Sequence, residues 1–130
     1  MGVPDPAEFS AAWEAAWNSH DLDAVLAHFA DKVVFYSPYA AQVLPETGGV
    51  LRGKDELRRY WDEGLRLVPD LRFTVEGVNA GVSSLVLHYR NQRDILVDEV
   101  LIFDDAGLVT EGHGTYPSTI PTGWHDEPHR

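Results

Sequence analysis

A carboxyl group and an imidazole on two neighbouring strands are the residues best suited to catalysis. If Arg93-Asp94 forms a two-residue hairpin loop, His88 on one strand lies opposite Glu99 on the next. Directly opposed residues on paired strands point to the same face of the sheet. The same face then carries the apolar residues Val86, Leu101 and Phe103. This pairing predicts two titratable groups side by side on an apolar wall.

Such an environment would change the pKa of both groups. Removal from water raises the pKa of a glutamate and lowers that of a histidine, whereas their mutual attraction has the opposite effect. A coupled pair of this kind suits general acid–base catalysis near neutral pH, with Glu99 as the acid or base and His88 as its partner. The alternative is a structural His–Glu pair that only joins the two strands.

The assignment depends on the register of the hairpin. A slip of one residue would send either His88 or Glu99 to the other face, and Asp98 could then face inward. Inverting the faces of the last strand would make His113 the catalytic candidate instead. These alternatives stay open at the level of the sequence.

Two glycines in the last strand indicate open space beside Glu99. With a turn at 104–107, Gly112 lies opposite Glu99, and Gly114 shares its face. Glycine weakens a strand, so its presence often marks a close approach by a ligand or by another backbone. We expect the two glycines to hollow out a pocket, although they could equally serve to bend the strand.

Aromatic residues are expected to wall this pocket. Trp13, Tyr36 and Tyr60 are the substrate-binding candidates, because small-molecule sites are mostly apolar with a few polar groups. Tyr39, in a long connection, could form part of a lid. Large aromatic residues are nonetheless found more often in a core than at a ligand.

The helices that must position these residues are found in the first half of the chain. Residues 7–19 carry an apolar stripe at spacings of three and four, and Asp21 can cap a second helix. The apolar face of that second helix is expected to comprise Leu22, Val25, Leu26 and Phe29. A strand at 33–36 ends at Pro38, a long connection covers 38–53, and a third helix is predicted from Lys54 to Val68.

In the second half of the chain, apolar and polar residues alternate, which is typical of strands joined by short turns. The predicted strands are 71–76, 84–90, 95–103 and 108–116, with a bulge at Gly77. Helices followed by antiparallel strands predict an α+β fold, with the helices on one face of a sheet. We expect one domain over residues 1–116 and a proline-rich tail over 117–130, in which Trp124 could dock.

The composition excludes several classes of function. The chain has 130 residues, no cysteine and a net charge of −11, so thiolate chemistry and binding to nucleic acid or anionic membranes are not expected. We expect no signal peptide and no membrane-spanning segment, which together with the lack of cysteine predicts a cytoplasmic protein. There is no phosphate-binding loop and no zinc-binding helix motif, and His125 and His129 lie in the tail. We therefore expect no metal and no cofactor.

Several segments in order resemble a known family. They are Trp17-Asn18-Ser19-His20-Asp21-Leu22-Asp23, Phe29-Ala30-Asp31, Val34-Phe35-Tyr36-Ser37-Pro38, Arg52-Gly53-Lys54 and Phe103-Asp104-Asp105-Ala106-Gly107. Together, over residues 7–116, they are similar to the SnoaL-like and ketosteroid-isomerase-like branch of the NTF2-like superfamily. The resemblance implies a cone of helices packed on a curved, mainly antiparallel sheet that encloses a deep pocket.

The resemblance also allows a comparison of functional positions. Ketosteroid isomerases carry a catalytic aspartate where this chain has Ser37, a tyrosine donor where it has Trp13, and a protonated aspartate where it has Glu99. Glu99 keeps a carboxyl group, but Ser37 and Trp13 depart from the functional groups of the family, so steroid isomerisation by that mechanism is not predicted. The resemblance favours an inward-facing Glu99 and places Ser37 at the pocket.

The sequence thus predicts a pocket that binds a small apolar molecule, in a protein that forms a homodimer. Cofactor-free isomerisation, cyclisation or hydrolysis is the expected chemistry. The alternative is a non-catalytic ligand-binding or dimeric scaffold module. An open cavity lined by both His88 and Glu99 would favour the first, and a cavity plugged by Trp13 and Tyr60 the second.

Overall fold

The N-terminal helices begin where the sequence provides caps. In a computed structural model that describes residues 2–118, helix α1 (Pro6–Asn18) is capped by Asp5, whose carboxylate accepts a hydrogen bond from the backbone N–H of Glu8. Helix α2 (Leu22–Leu26) is capped in the same way by Asp21, as predicted. Phe29 was expected on the apolar face of α2, but it opens strand β1 (Phe29–Tyr36), where it is buried.

The long connection after β1 has more structure than its sequence indicates. Pro38 ends the strand as predicted, but it also opens helix α3 (Pro38–Val43), capped by Ser37. A short 3₁₀ helix (Pro45–Thr47) and strand β2 (Val50–Arg52) follow, and β2 pairs with β1. The segment is therefore a folded part of the domain.

Helix α4 and the four remaining strands complete the described chain. Helix α4 spans Gly53–Leu67, which agrees with the prediction to within one residue at each end. The strands are β3 (Thr74–Ala80), β4 (Ser84–Arg90), β5 (Leu96–Phe103) and β6 (Val109–Thr115). Strand β3 begins three residues later than predicted, and the expected irregularity at Gly77 is present as a shift in the β3–β4 register. Residues 119–130, with Trp124 and the His125–His129 pair, lie outside the described part.

The six strands form one mixed sheet in the order β2-β1-β6-β5-β4-β3. Strands β1 and β6 run parallel, and every other neighbouring pair is antiparallel. Helix α4 packs against β1 and α1 against β3. This is the α+β arrangement that the order of elements predicts, and it leaves the inner face of the sheet turned toward the helices.

None of the helices in residues 2–118 is both long enough and apolar enough to cross a bilayer.

Candidate functional site: a carboxyl group in an aromatic pocket

A cavity lies between α4, the inner face of the sheet and the β4–β5 loop. Its volume is about 80 Å³, which is below the several hundred Å³ of drug-sized sites but holds more than one water molecule. It therefore suits a small molecule or one end of a larger one. The residues that line it are Trp17, Phe35, Ser37, Tyr39, Tyr60, Trp61, Gly64, Leu65, Val68, Leu71, Phe73, Tyr89, Asn91, Gln92, Arg93, Glu99, Gly114 and Tyr116.

Glu99 is the carboxyl group of this cavity. Alternation along β5 turns Glu99 inward with its neighbours Val97 and Leu101, and only 6% of Glu99 is exposed. The Tyr89 hydroxyl donates a hydrogen bond to Glu99 Oε1 at 3.1 Å. Burial raises the pKa of Glu99 to about 7, and the bond from Tyr89 opposes part of that rise. Near neutral pH, Glu99 can therefore either hold or release a proton.

Three hydroxyl groups meet on another wall of the cavity. Ser37 Oγ lies 3.2 Å from the Tyr60 hydroxyl and forms a further hydrogen bond with Tyr116. Burial raises the pKa of both tyrosines above the ordinary value, so their hydroxyl groups stay neutral donors at physiological pH. Ser37 Oγ also accepts a hydrogen bond from the backbone N–H of Tyr39, which holds the serine in place at the start of α3.

Gly114 separates this group of hydroxyls from Glu99. The β5–β6 register places Gly114 directly opposite Glu99, and both residues line the cavity. A Cβ atom at position 114 would lie 3.7 Å from Ser37 Oγ and 3.9 Å from the Tyr116 ring. The absence of a side chain therefore leaves space between the carboxyl group and the hydroxyls, as the sequence predicts for Gly114.

His88 does not join Glu99, and this prediction is wrong. The β4–β5 register pairs Leu87 with Glu99 and His88 with Asp98, one residue away from the predicted alignment. His88 Nδ1 lies 2.6 Å from Asp98 Oδ1 on the opposite face of the sheet. The slip arises because the β4–β5 loop has five residues, Asn91 to Ile95, rather than two.

The same slip removes Val86 from the pocket. Val86 pairs with Val100 on the outer face, where both residues are half-buried. Leu101 does face inward, as predicted, but it is completely buried in the core and does not line the cavity.

Gly112 makes room for a core side chain, so its expected place beside Glu99 is also wrong. A register shift between Ile102 and Phe103 puts Gly112 opposite Leu101. A Cβ atom at position 112 would lie 2.6 Å from the Phe35 ring. Phe35 therefore occupies the space that the sequence assigned to a ligand.

Two of the predicted aromatic walls also lie elsewhere. Trp13 is completely buried, stacks on Phe73 with the ring centres 5.5 Å apart, and does not line the cavity. Tyr36 lies on the outer face and stacks on His113, whose Nε2 is 2.7 Å from Glu111 Oε2. The alternative in which His113 enters the pocket is therefore wrong as well. Tyr60 lines the cavity, as predicted.

Sequence reasoning overlooked two of the tyrosines nearest to Glu99. Tyr89 lies two residues after Leu87 on β4, so the correct hairpin register would have placed it on the inner face. Tyr116 follows the end of β6, and alternation along the predicted strand 108–116 would have placed it on the same face as Gly112 and Gly114. Arg93, which also lines the cavity, had been assigned to a tight turn.

Within residues 2–118, no three histidine or acidic side chains are close enough to hold a metal ion together.

The sequence profile of the SnoaL-like domain family matches residues 10–123. A solved SnoaL-like protein of unknown function from Burkholderia thailandensis is 39% identical, with 88% of this chain and 100% of that one covered and a TM-score of 0.81. An NTF2-like protein of unknown function from Burkholderia pseudomallei is 16% identical, with 85% and 89% covered and a TM-score of 0.69. TerC, co-crystallised with polyporic acid, is 13% identical, with 95% and 98% covered and a TM-score of 0.73. Among curated proteins, none has a sequence that matches this chain.

Proposed function

The chain belongs to the SnoaL-like domain family of the NTF2-like superfamily, and from that premise we propose that its cavity binds a small, largely apolar molecule on which Glu99 acts as a proton acceptor and donor. The reaction is of the cofactor-free acid–base type, such as an isomerisation, a cyclisation or a hydrolysis. The observation that carries this proposal is a carboxyl group that lines an aromatic cavity with its pKa raised to about 7.

The surroundings of Glu99 suit proton transfer to a bound molecule. Among residues 2–118, the carboxyl group accepts one hydrogen bond, from Tyr89, so it has acceptor sites left for a ligand. A carboxylate that is poorly solvated is a stronger base than one in water, and its pKa near the working pH allows it to return the proton afterwards. His88 has no part in this chemistry, because it lies across the sheet with Asp98.

The aromatic walls favour ligand binding over a filled core. Trp13 and Tyr60 were the residues expected to plug the cavity in a scaffold protein. Trp13 packs outside the cavity, and Tyr60 lines it without closing it. TerC, which has the same fold, was co-crystallised with polyporic acid, which agrees with an organic small molecule as the ligand.

The test is proton exchange on small cyclic and aromatic ketones in heavy water, followed by NMR. The protein should speed the exchange of the C–H next to the carbonyl group, and the rate should rise with pH through about 7 as Glu99 ionises. Glu99→Gln should reduce the rate to that of the buffer. Asp98→Asn is the matched control, because it removes a carboxylate from the adjacent residue on the outer face.

If Glu99→Gln exchanged the C–H proton as fast as the Asp98→Asn control and the wild-type protein, Glu99 would be excluded as the acid–base group. The expected homodimer is a separate proposal, which sedimentation of the purified protein checks directly.

A further inference from the structure

We propose that the hydroxyl cluster, formed by Ser37, Tyr60 and Tyr116, is a second polar subsite of the cavity that binds a hydrogen-bond acceptor oxygen of the ligand. This inference rests on the proposed function, because it concerns the same bound molecule. It narrows the ligand to a compound with a small apolar body that carries a carbonyl-type oxygen at its edge.

The three residues come from separate parts of the chain and meet at one place. Ser37 follows β1, Tyr60 lies in α4, and Tyr116 follows β6. Ser37 is 3% exposed and Tyr60 4%, and all three residues line the cavity. Because the sheet and α4 are rigid elements, the hydroxyl groups are held in position before any ligand arrives.

Packing alone does not account for hydroxyl groups at these positions. Phenylalanine would fill the volume of each tyrosine, and a buried hydroxyl group has a desolvation cost that only hydrogen bonding offsets. The hydroxyl hydrogens rotate about the C–O bond, so the cluster can turn a donor toward an incoming oxygen. Burial keeps Tyr60 and Tyr116 protonated, so that they remain donors over the whole physiological range of pH.

The gap above Gly114 connects the cluster to Glu99. The strand register sets Glu99 directly opposite Gly114, and the position of a Cβ atom at 114 lies in contact range of Ser37 Oγ and Tyr116. A ligand body that lies across Gly114 therefore reaches the hydroxyl cluster at one end and Glu99 at the other. Gly114 then acts as a specificity determinant, because any side chain there would occupy the space between the two polar groups.

The experiment compares the binding of acetophenone with that of ethylbenzene, which has nearly the same shape but no carbonyl oxygen. Binding is measured at about pH 9, where Glu99 is ionised and cannot donate a hydrogen bond. The fluorescence of Trp17 and Trp61, both of which line the cavity, reports the binding. The infrared carbonyl stretch of bound acetophenone, isotopically labelled, reports the hydrogen bond itself.

Removal of one hydroxyl group of the cluster should weaken the binding of acetophenone but not that of ethylbenzene. In Tyr60→Phe and in Tyr116→Phe, the affinity for acetophenone relative to ethylbenzene should fall by about threefold to tenfold, the usual effect of one hydrogen bond. The carbonyl stretch should move to higher frequency. Tyr36→Phe is the control, because Tyr36 lies on the outer face against His113, and neither quantity should change.

Gly114→Ala tests the gap without removing a polar atom. The added methyl group meets only contacts of ordinary length, so the fold should be retained. The affinity for both probes should fall by about tenfold or more, because the methyl group takes the space of the ligand body.

The outcomes separate the two proposals. If neither probe binds to the wild-type protein, the cavity does not accept apolar molecules and both proposals fail. If both probes bind, but Tyr60→Phe and Tyr116→Phe leave the affinity ratio and the carbonyl frequency unchanged, the hydroxyl cluster is structural and only this inference fails.

Discussion

Glu99→Gln should make the protein more stable at alkaline pH, and the gain should disappear in acid. Glutamine keeps the shape of the side chain and has no charge at any pH. The pKa of Glu99 is raised to about 7 in the folded protein from an ordinary value of 4.5, because burial disfavours the carboxylate. The folded state therefore binds the Glu99 proton more tightly than the unfolded state does.

The sign and size of the change in stability follow from this difference in pKa. Between the two pKa values the folded state holds more protons, so the free energy of unfolding falls as pH rises from about 4.5 and levels off above about 7. A difference of about 2.5 pKa units, at about 1.4 kcal/mol each, amounts to about 3 kcal/mol when Glu99 is fully ionised. Because only 6% of Glu99 is exposed, solvent screening does not reduce this value greatly.

Urea unfolding, followed by tryptophan fluorescence, measures the effect as a difference between variant and wild type. From about pH 5 to about pH 8.5, the free energy of unfolding of Glu99→Gln should gain about 2–3 kcal/mol over that of the wild type. Other titrating groups cancel in this comparison.

A difference between Glu99→Gln and wild type that stays constant with pH would refute the reasoning. It would mean that Glu99 ionises as easily in the folded protein as in water. The raised pKa on which the proposed role of Glu99 as a base depends would then be absent.

Two further predictions concern residues around this site. Gly112→Ala should lower the free energy of unfolding by about 1–3 kcal/mol, because the added methyl group would lie 2.6 Å from the Phe35 ring, and an unchanged urea midpoint would contradict this packing. Tyr89→Phe should raise the pKa of Glu99 further above its ordinary value by about one unit, since the lost hydrogen bond favours the carboxylate. Carbon-13 NMR of the labelled carboxyl group measures that shift, and a pKa that stays the same or falls would show that Tyr89 does not stabilise the charged form.

Local signals in the sequence were sufficient for most of the fold. Asp21 followed by an apolar run predicts the start of α2, and strict alternation predicts β4 with both of its ends correct. These features depend on residues close together in the chain, where apolar residues recur at every second position in strands and at every third or fourth position in helices. Phe29 shows the limit of such reasoning, because an apolar residue at helical spacing after α2 turned out to open a strand.

The composition of the site was decided by loop geometry that the apolar pattern does not encode. Asn91 Oδ1 accepts hydrogen bonds from the backbone N–H groups of Arg93 and Ile95, and Asp94 adopts a φ of 63°, so the β4–β5 loop closes over five residues. That one-residue change in register sends His88 to the outer face and brings Tyr89 to Glu99. A slip of one residue exchanges the two faces of a strand, so a small error in a turn changes the whole set of neighbours.

The sequence by itself determined the order of the elements and the α+β class, because both follow from local periodicity. The inward side of Glu99 was predicted through the family resemblance, since periodicity alone left the register open. Only the tertiary structure decided which groups meet Glu99. Ser37, Tyr60, Tyr89 and Tyr116 reach the cavity from four different elements or their ends. Their proximity arises from strand register and from helix packing across the sheet, and these depend on contacts between residues far apart in the chain.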